Sequence, residues 1–261
     1  MFELDRILSI GGVVFALPFL LLAYLRGLPL GLPIVLLTSC LTYYAFRNRF
    51  VEQGPATALS SGRVAFPAVL ANLLFVTYYS LSVVILFQSL YHRPLEYFLT
   101  IAFLSALVAL EIGSSNYERT SSGATLTLSK IMMLAINLQI GRYVLFPSLG
   151  IDAVFHESLT RSMLETGQIP SGTAYTAFPG FHIGATAVSL ITALPWLRAT
   201  LYLSGGLSGI ISLAVIYKLA TVFLGTQRAL FASLLASFAT WLVDLREDSV
   251  PQLLGFTMFV Y

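Results

Sequence analysis

Charge is scarce in this 261-residue chain. Asp, Glu, Lys and Arg together make up 10% of it, against roughly 25% in an average soluble domain. That scarcity points away from a water-exposed surface and toward a lipid bilayer as the solvent. The net charge of +2 is too small to support a nucleic acid as partner. There is a single cysteine, Cys40, set inside an apolar stretch, which excludes a disulfide framework and a cysteine-ligated metal. Internal repeats and low-complexity tracts are also lacking.

What is abundant is hydrophobic sequence, 57% of the chain. Apolar runs of about 20 residues, the length that crosses roughly 30 Å of hydrocarbon, recur along it. The candidate spans are Ile7 to Leu25, Leu28 to Phe46, Val64 to Leu90, Leu95 to Ile112, Leu126 to Tyr143, Thr200 to Phe223 and Ala229 to Val243. A shorter run between prolines, Phe178 to Leu194, reads as half-embedded. The first run has no small-residue cleavage site after it and reads as a retained helix rather than a signal peptide. The expected fold class is therefore an all-α polytopic membrane protein with about 7–8 transmembrane helices. With the N-terminus cytoplasmic, Arg6, Arg47, Arg49, Arg63, Arg119, Lys130, Lys218 and Arg228 all fall inside, as the preference of Lys and Arg for that side requires. The segment 145–198 and the acidic stretch 244–250 then lie outside, in a plasma-membrane, multi-pass topology.

Against this background the stretch GIDAVFHESLTR, Gly150 to Arg161, is an exception. At about 100° per residue a helix from Asp152 to Glu165 carries Phe155, Leu159 and Met163 as an apolar stripe. Glu157, Arg161 and Glu165 form an opposite stripe of solvated i,i+4 ion pairs. Such a helix lies flat on the outer surface of the bilayer. Asp152 and His156 fall on its apolar side, where ionisable groups are candidates for function. Asp152 also suits a helix N-cap, a role compatible with chemistry. Gly167 reads as the residue that ends the helix, with Pro170 just beyond. In the following SGTAYTAFPGFHIGATA, Pro179 suits a first helical turn, and Gly180 with Gly184 reads as a surface for close helix packing. His182, in the first turn of that apolar helix and on the same side of the membrane as Asp152, is a second candidate.

The other polar concentration is DLREDSVP. Asp244, Glu247 and Asp248 are three of the chain's 12 carboxylates. On the same face as Asp152, they complete a set of oxygen ligands suited to Mg²⁺ or Mn²⁺, with Arg246 between them to pair with a phosphate or with a neighbouring acid. Asp248 or Ser249 also suits the cap of a following helix with Pro251 in its first turn. Asn137 and Gln139 read as interhelical hydrogen-bonding groups and Arg142 as a residue reaching the outer headgroups. Gly205 and Gly209 read as packing residues. Glu111, Glu118 and Lys130 are assigned no chemistry.

The order of these features resembles the GT-C superfamily of membrane glycosyltransferases, and within it the catalytic subunits of oligosaccharyltransferase and related archaeal enzymes. In that pattern a spanning helix leads into a long external loop that opens on an Asp motif, D-x-x-[FY]-[NH], matched by Asp152, Phe155 and His156. A Y-P-G stretch is matched by Phe178, Pro179 and Gly180, and a second external acidic motif by Arg246, Glu247 and Asp248. The similarity covers Leu126 to Tyr261. It divides the chain into an additional N-terminal transmembrane region, 1–125, and a GT-C-like core, 126–261. The core's external loop carries the amphipathic and juxtamembrane helices. The chain stops part-way through an apolar run, and the core is expected to be incomplete at its C-terminus.

The resemblance implies sugar transfer from a polyprenyl-phosphate-linked donor to a protein, lipid or glycan acceptor on the external face. Asp152 is implied as general base or metal ligand, and Asp152, Glu247 and Asp248 as holders of a divalent metal, Mg²⁺ or Mn²⁺. His156, His182, Arg246 and Tyr175 are the implied contacts to sugar or phosphate. Two other readings stand beside it: a polytopic transporter or lipid flippase, which expects ionisable residues deep inside spanning helices, and an inactive truncated remnant.

Overall fold

The computed structural model describes residues 4–25, 31–51, 68–89, 93–114, 121–145, 151–173, 176, 179–195 and 208–238. Among these residues there are nine α-helices and no strand. They are α1 (Leu4–Leu25), α2 (Gly31–Val51), α3 (Ala68–Gln88), α4 (Leu95–Ser114), α5 (Ser121–Leu145), α6 (Ile151–Thr166), α7 (Gly180–Thr192), α8 (Ser208–Leu224) and α9 (Thr226–Ser237). Apolar chain without water must satisfy its backbone within itself, which favours the helix. The hydroxyl residues scattered through these helices follow the same rule. Ser39 donates to the Val35 carbonyl at 2.6 Å, Thr100 to Glu96 at 2.8 Å and Ser233 to Ala229 at 2.8 Å, each closing its polar group onto its own helix. Pro18 inside α1 removes one such backbone donor.

The chain divides into two compact units. The first comprises residues 1–134 and 216–238, the second 135–215 and 239–261. In the first, α4 is the centre, packed by α2, α3 and α9, with Tyr97, Ile101, Leu104, Val108 and Ile112 fully buried. The Ser39 and Ser105 hydroxyls hydrogen-bond between α2 and α4. Tyr43 of α2 stacks on Phe231 of α9 with ring centroids 3.8 Å apart. Gln227 of α9 donates to the Ile112 carbonyl of α4 at 2.7 Å. At the contact of α1 with α2, a Cβ on Gly12 would run into the Cys40 sulfur, so glycine there sets how closely the helices approach. The residues expected to carry no chemistry, Glu111 and Lys130, form an ion pair between α4 and α5, with Lys130 buried and Glu111 partly buried. Thr127 donates to the other Glu111 oxygen at 2.8 Å, and the Lys130 ammonium sits 5.7 Å from the Phe75 ring centroid.

Two helices, Val69–Gln88 within α3 and α4 itself, are long and apolar enough to cross a membrane. α3 is the one that turns its side chains outward, with Val69, Leu73, Val76, Val84 and Phe87 exposed. A run of exposed aliphatic and aromatic groups of that length has no favourable place in water. The remaining apolar stretches are shorter, 10–17 residues each. Gly225, at φ +77°, separates α8 from α9 at the break expected between Phe223 and Ala229. Residues 200–207 and 239–243 of the expected last spans lie outside the described residues.

In the second unit α6 and α7 pack together. α7 has 13 residues, about 20 Å at 1.5 Å per residue, too short to cross the hydrocarbon. Its expected start at Phe178 moves to Gly180, after Pro179. A Cβ on Gly180 would meet no atom within 4 Å, so the close packing expected there is not made by that glycine.

Candidate functional site at the α6–α7 seam

α6 begins at Ile151, which places Asp152 in its first turn, and ends as the sequence expects. The Gly167 amide donates to the Met163 carbonyl at 2.9 Å, with Gly167 at φ +67°. Around the helix, His156, Leu159, Thr160 and Met163 are buried, as their spacing predicts. Phe155, expected in the apolar stripe, is 40% exposed, and Glu157, expected in the solvated stripe, is only 4% exposed. The buried arc is thus turned by roughly 80°, at about 100° per residue, from the one read off the apolar residues alone. Of the two expected ion pairs, Arg161 with Glu165 forms at 2.7 Å, both side chains more than half exposed. The Glu157–Arg161 pair is a correction: Glu157 Oε1 is buried and accepts no hydrogen bond. α7 packs against the His156 side of α6.

That partner face consists of Phe181, His182, Ala185 and Ser189, one stripe of α7. His156 Nδ1 and His182 Nε2 are 3.0 Å apart, joined by a buried hydrogen bond in which one nitrogen carries the proton and the other accepts it. Both rings are buried, at 2% and 1% exposure. The Phe181 ring stands edge-on to both imidazoles, with centroids 5.8 Å from His156 and 5.3 Å from His182. The backbone of His156 is tied in turn by Thr160, whose hydroxyl donates to its carbonyl at 3.0 Å.

A small cleft adjoins the pair. It is lined by Leu159 and Met163 of α6, by Ile169, Pro170 and Thr173 of the connection, and by Pro179 and His182 at the start of α7. It has room for about one water molecule. Because residues later in α6 meet the beginning of α7, while His156 meets His182, the two helices run antiparallel. Thr176 holds the connection by donating to the Pro170 carbonyl at 2.8 Å. Asp152, one turn before His156, and Thr186, one turn after His182, therefore stand at the same level of the seam. The Thr186 hydroxyl is buried and, unlike most hydroxyls of these helices, has no hydrogen-bond partner.

The electrostatics follow from burial. Loss of hydration, and next the charge of His156, push the His182 imidazole down from 6.5 to about 4, so it is neutral at physiological pH. Burial pushes the Glu157 carboxyl up from 4.5 to about 7. A carboxyl poised near neutrality, an oxygen without a partner and a directly bonded histidine pair are features of sites that handle protons.

The structure thus brings together His156 and His182, 26 positions apart in sequence. The side chain of Asp152, and Tyr175, Arg246, Glu247 and Asp248, lie outside the described residues, as do Phe178, Asp244 and the Arg142 side chain. Among the described residues no three His, Cys, Asp or Glu side chains converge. Sequence reasoning missed Glu157 as a site residue; its one signal is adjacency to His156, about 100° around the helix, which leaves its face undecided until a partner helix is placed. No family model matches this chain, and no curated protein or solved structure matches it.

Proposed function

We propose that the chain is an integral membrane glycosyltransferase that moves a sugar from a polyprenyl-phosphate-linked donor to a protein, lipid or glycan acceptor at the external face of the membrane. The observation that supports this reading is the meeting of His156, from the Asp motif, with His182, just past the F-P-G stretch, in one buried polar seam. The two stretches that carry the resemblance are neighbours in space as well as in order. They stand on α6 and α7, helices suited by length to the membrane surface rather than to its interior.

In the proposed reaction an acceptor hydroxyl or amide attacks the anomeric carbon. The bond from that carbon to the phosphate oxygen breaks, and the polyprenyl phosphate leaves with the electron pair. Asp152 sits at the surface end of the seam as general base or metal ligand. His156, His182, Tyr175 and Arg246 contact sugar or phosphate. A divalent ion held by Asp152 with Glu247 and Asp248 belongs to the same proposal and offsets charge on the phosphate. So does the multi-pass topology of about 7–8 spans, N-terminus inside and acidic loops outside.

The experiment is transfer of label from a radiolabelled polyprenyl-phosphate sugar by membranes that contain the protein, with Mn²⁺ and with EDTA. Metal-dependent appearance of label in an acceptor is the expected result; label that stays on the lipid with every donor tried refutes the reading. The transporter reading has one observation in its favour, the Glu111–Lys130 pair. Its charges are matched by each other, by Thr127 and by the Phe75 ring, the pattern of a fixed clamp between helices rather than of a vacant binding site.

A further inference from the structure

We propose that the α6–α7 hairpin is a two-faced wedge that seats the outer side of α7 among the acyl chains of a lipid bilayer and holds α6 above it, toward water. The sequence gives that lipid contact to α6, through Phe155, Leu159 and Met163. Leu159 and Met163 are instead buried, on the side of α6 where His156 meets His182 of α7. At about 100° per residue, Ser158, Arg161 and Glu165 lie roughly 140–200° around α6 from His156, opposite the contact with α7. All three are exposed, and Arg161 pairs there with Glu165 at 2.7 Å. On α7, Ile183, Leu190 and Ile191 lie roughly 80–180° from His182 and form one stripe, spaced i, i+7, i+8. They are 46%, 68% and 84% exposed. One side of the hairpin is thus hydroxyl and charge, and the opposite side is aliphatic.

The chemistry of the stripe identifies its occupant. Gly180–Thr192 contains no Asp, Glu, Lys or Arg, and its one ionisable side chain, His182, is buried. The exposed Thr192 hydroxyl donates to the Val188 carbonyl at 2.6 Å, and Ser189 closes the end of the helix by donating to the Leu194 carbonyl at 2.7 Å. A protein partner is held around an apolar patch by a polar rim, with about one hydrogen bond per 100–200 Å². The side chains of the α7 stripe offer neither charge nor a donor for such a rim. In water the stripe has no favourable neighbour. Hydrocarbon asks for no polar contact, and the same chain carries two helices long and apolar enough to cross it. The stripe runs along most of α7, which is too short to span, so all of it meets lipid only when the helix lies along the membrane plane. The apolar side of such an interfacial helix enters the acyl boundary by about 5–10 Å. Packed helices have axes about 8–10 Å apart, which lifts the Arg161–Glu165 pair of α6 to the headgroups. This placement rests on the helix pair and not on sugar transfer.

Spin-label depth measurements test the wedge on the complete 261-residue chain in phospholipid nanodiscs, with Cys40→Ala removing the one native thiol. Nitroxides are attached singly to Ile183→Cys, Leu190→Cys and Ile191→Cys on α7, and to Ser158→Cys and Glu165→Cys on α6. Oxygen, which concentrates in hydrocarbon, is expected to relax the three α7 labels, and a water-soluble nickel chelate the two α6 labels. The expected difference in depth is about 10 Å or more. Nickel access to the α7 labels equal to that of the α6 labels puts the stripe in water and overturns the wedge. Protection of the α7 labels from both reagents means that protein covers the stripe, and overturns it as well. A second measurement needs no substitution. In the native chain, a diazirine carried in the middle of a phospholipid acyl chain is expected to label α7 at Ile183, Leu190 or Ile191 and to leave residues 158–165 unlabelled. Labelling of 158–165 that equals or exceeds that of α7 refutes the proposal.

Discussion

The seam makes a quantitative prediction about stability that requires no substrate. Glu157 rises from 4.5 to about 7 on folding, and each unit is worth about 1.4 kcal/mol. Ionising it in the fold therefore costs about 3 kcal/mol at most, and about 1–3 kcal/mol once some water reaches the carboxylate. The sign is opposite to the usual carboxylate. Between pH 4.5 and 7 the folded state holds a proton that the unfolded state has lost, so this contribution is complete below pH 4.5 and disappears as pH rises through 7. Glu157→Gln removes the titration. Relative to the native chain, the variant is expected to gain about 1–3 kcal/mol between pH 4.5 and 8 and nothing more beyond that. Amide hydrogen exchange of α6 in nanodiscs, native against variant at each pH, reads the difference with the intrinsic pH dependence of exchange cancelled. A difference that stays constant across this range refutes the claim that Glu157 is buried without a partner. His182 supplies the opposite slope. Lowered from 6.5 to about 4, it contributes stability that is present above pH 6.5 and lost as pH falls toward 4. His182→Gln, judged the same way, should therefore diverge from the native chain on the acid side of 6.5 and run parallel above it.

Other expectations concern the site and the first unit. Asp152→Asn is expected to abolish sugar transfer while membrane insertion remains intact; unchanged turnover removes Asp152 from the mechanism. Single cysteines at positions 152 and 248 are expected to react with an impermeant maleimide from the same, external side, and labelling from opposite sides ends the idea of a shared metal. Lys130→Met leaves the partly buried Glu111 carboxylate without its cation and is expected to cost about 1–3 kcal/mol. Adding Glu111→Leu should recover most of that, and a thermal scan in which the double variant melts no higher than the single one argues against the pair.

The three predictions at Glu157, His182 and Asp152 share a physical origin. The seam of α6 and α7 is dry enough to shift proton affinities. In the first unit charge is treated differently, with Glu111 matched to Lys130. Charge is rare here, and where the described residues bury it the group is either fully matched or next to the histidine pair.

Much of the helical framework was legible in the sequence because it depends on local properties. α4 was expected from Leu95 to Ile112 and runs to Ser114; α6 was expected from Asp152 to Glu165 and runs from Ile151 to Thr166. Apolar periodicity, a proline at Pro94 before α4, and Gly167 in the left-handed region after α6 suffice for these. The burial of His156 was legible too, since it shares an arc with Leu159 and Met163. The break between α8 and α9 at Gly225 was legible as well, since the apolar runs were read as ending at Phe223 and resuming at Ala229. The rest belongs to the tertiary structure. Whether Glu157 meets water or a dry interior is decided by packing that helix period does not specify. That His156 touches His182, and Lys130 Glu111, depends on how one helix aligns against another after a connection whose path the sequence does not specify. Period and composition decide that a helix forms and which residues share its sides; only packing against another helix decides which side loses its water, and proton affinity follows the water.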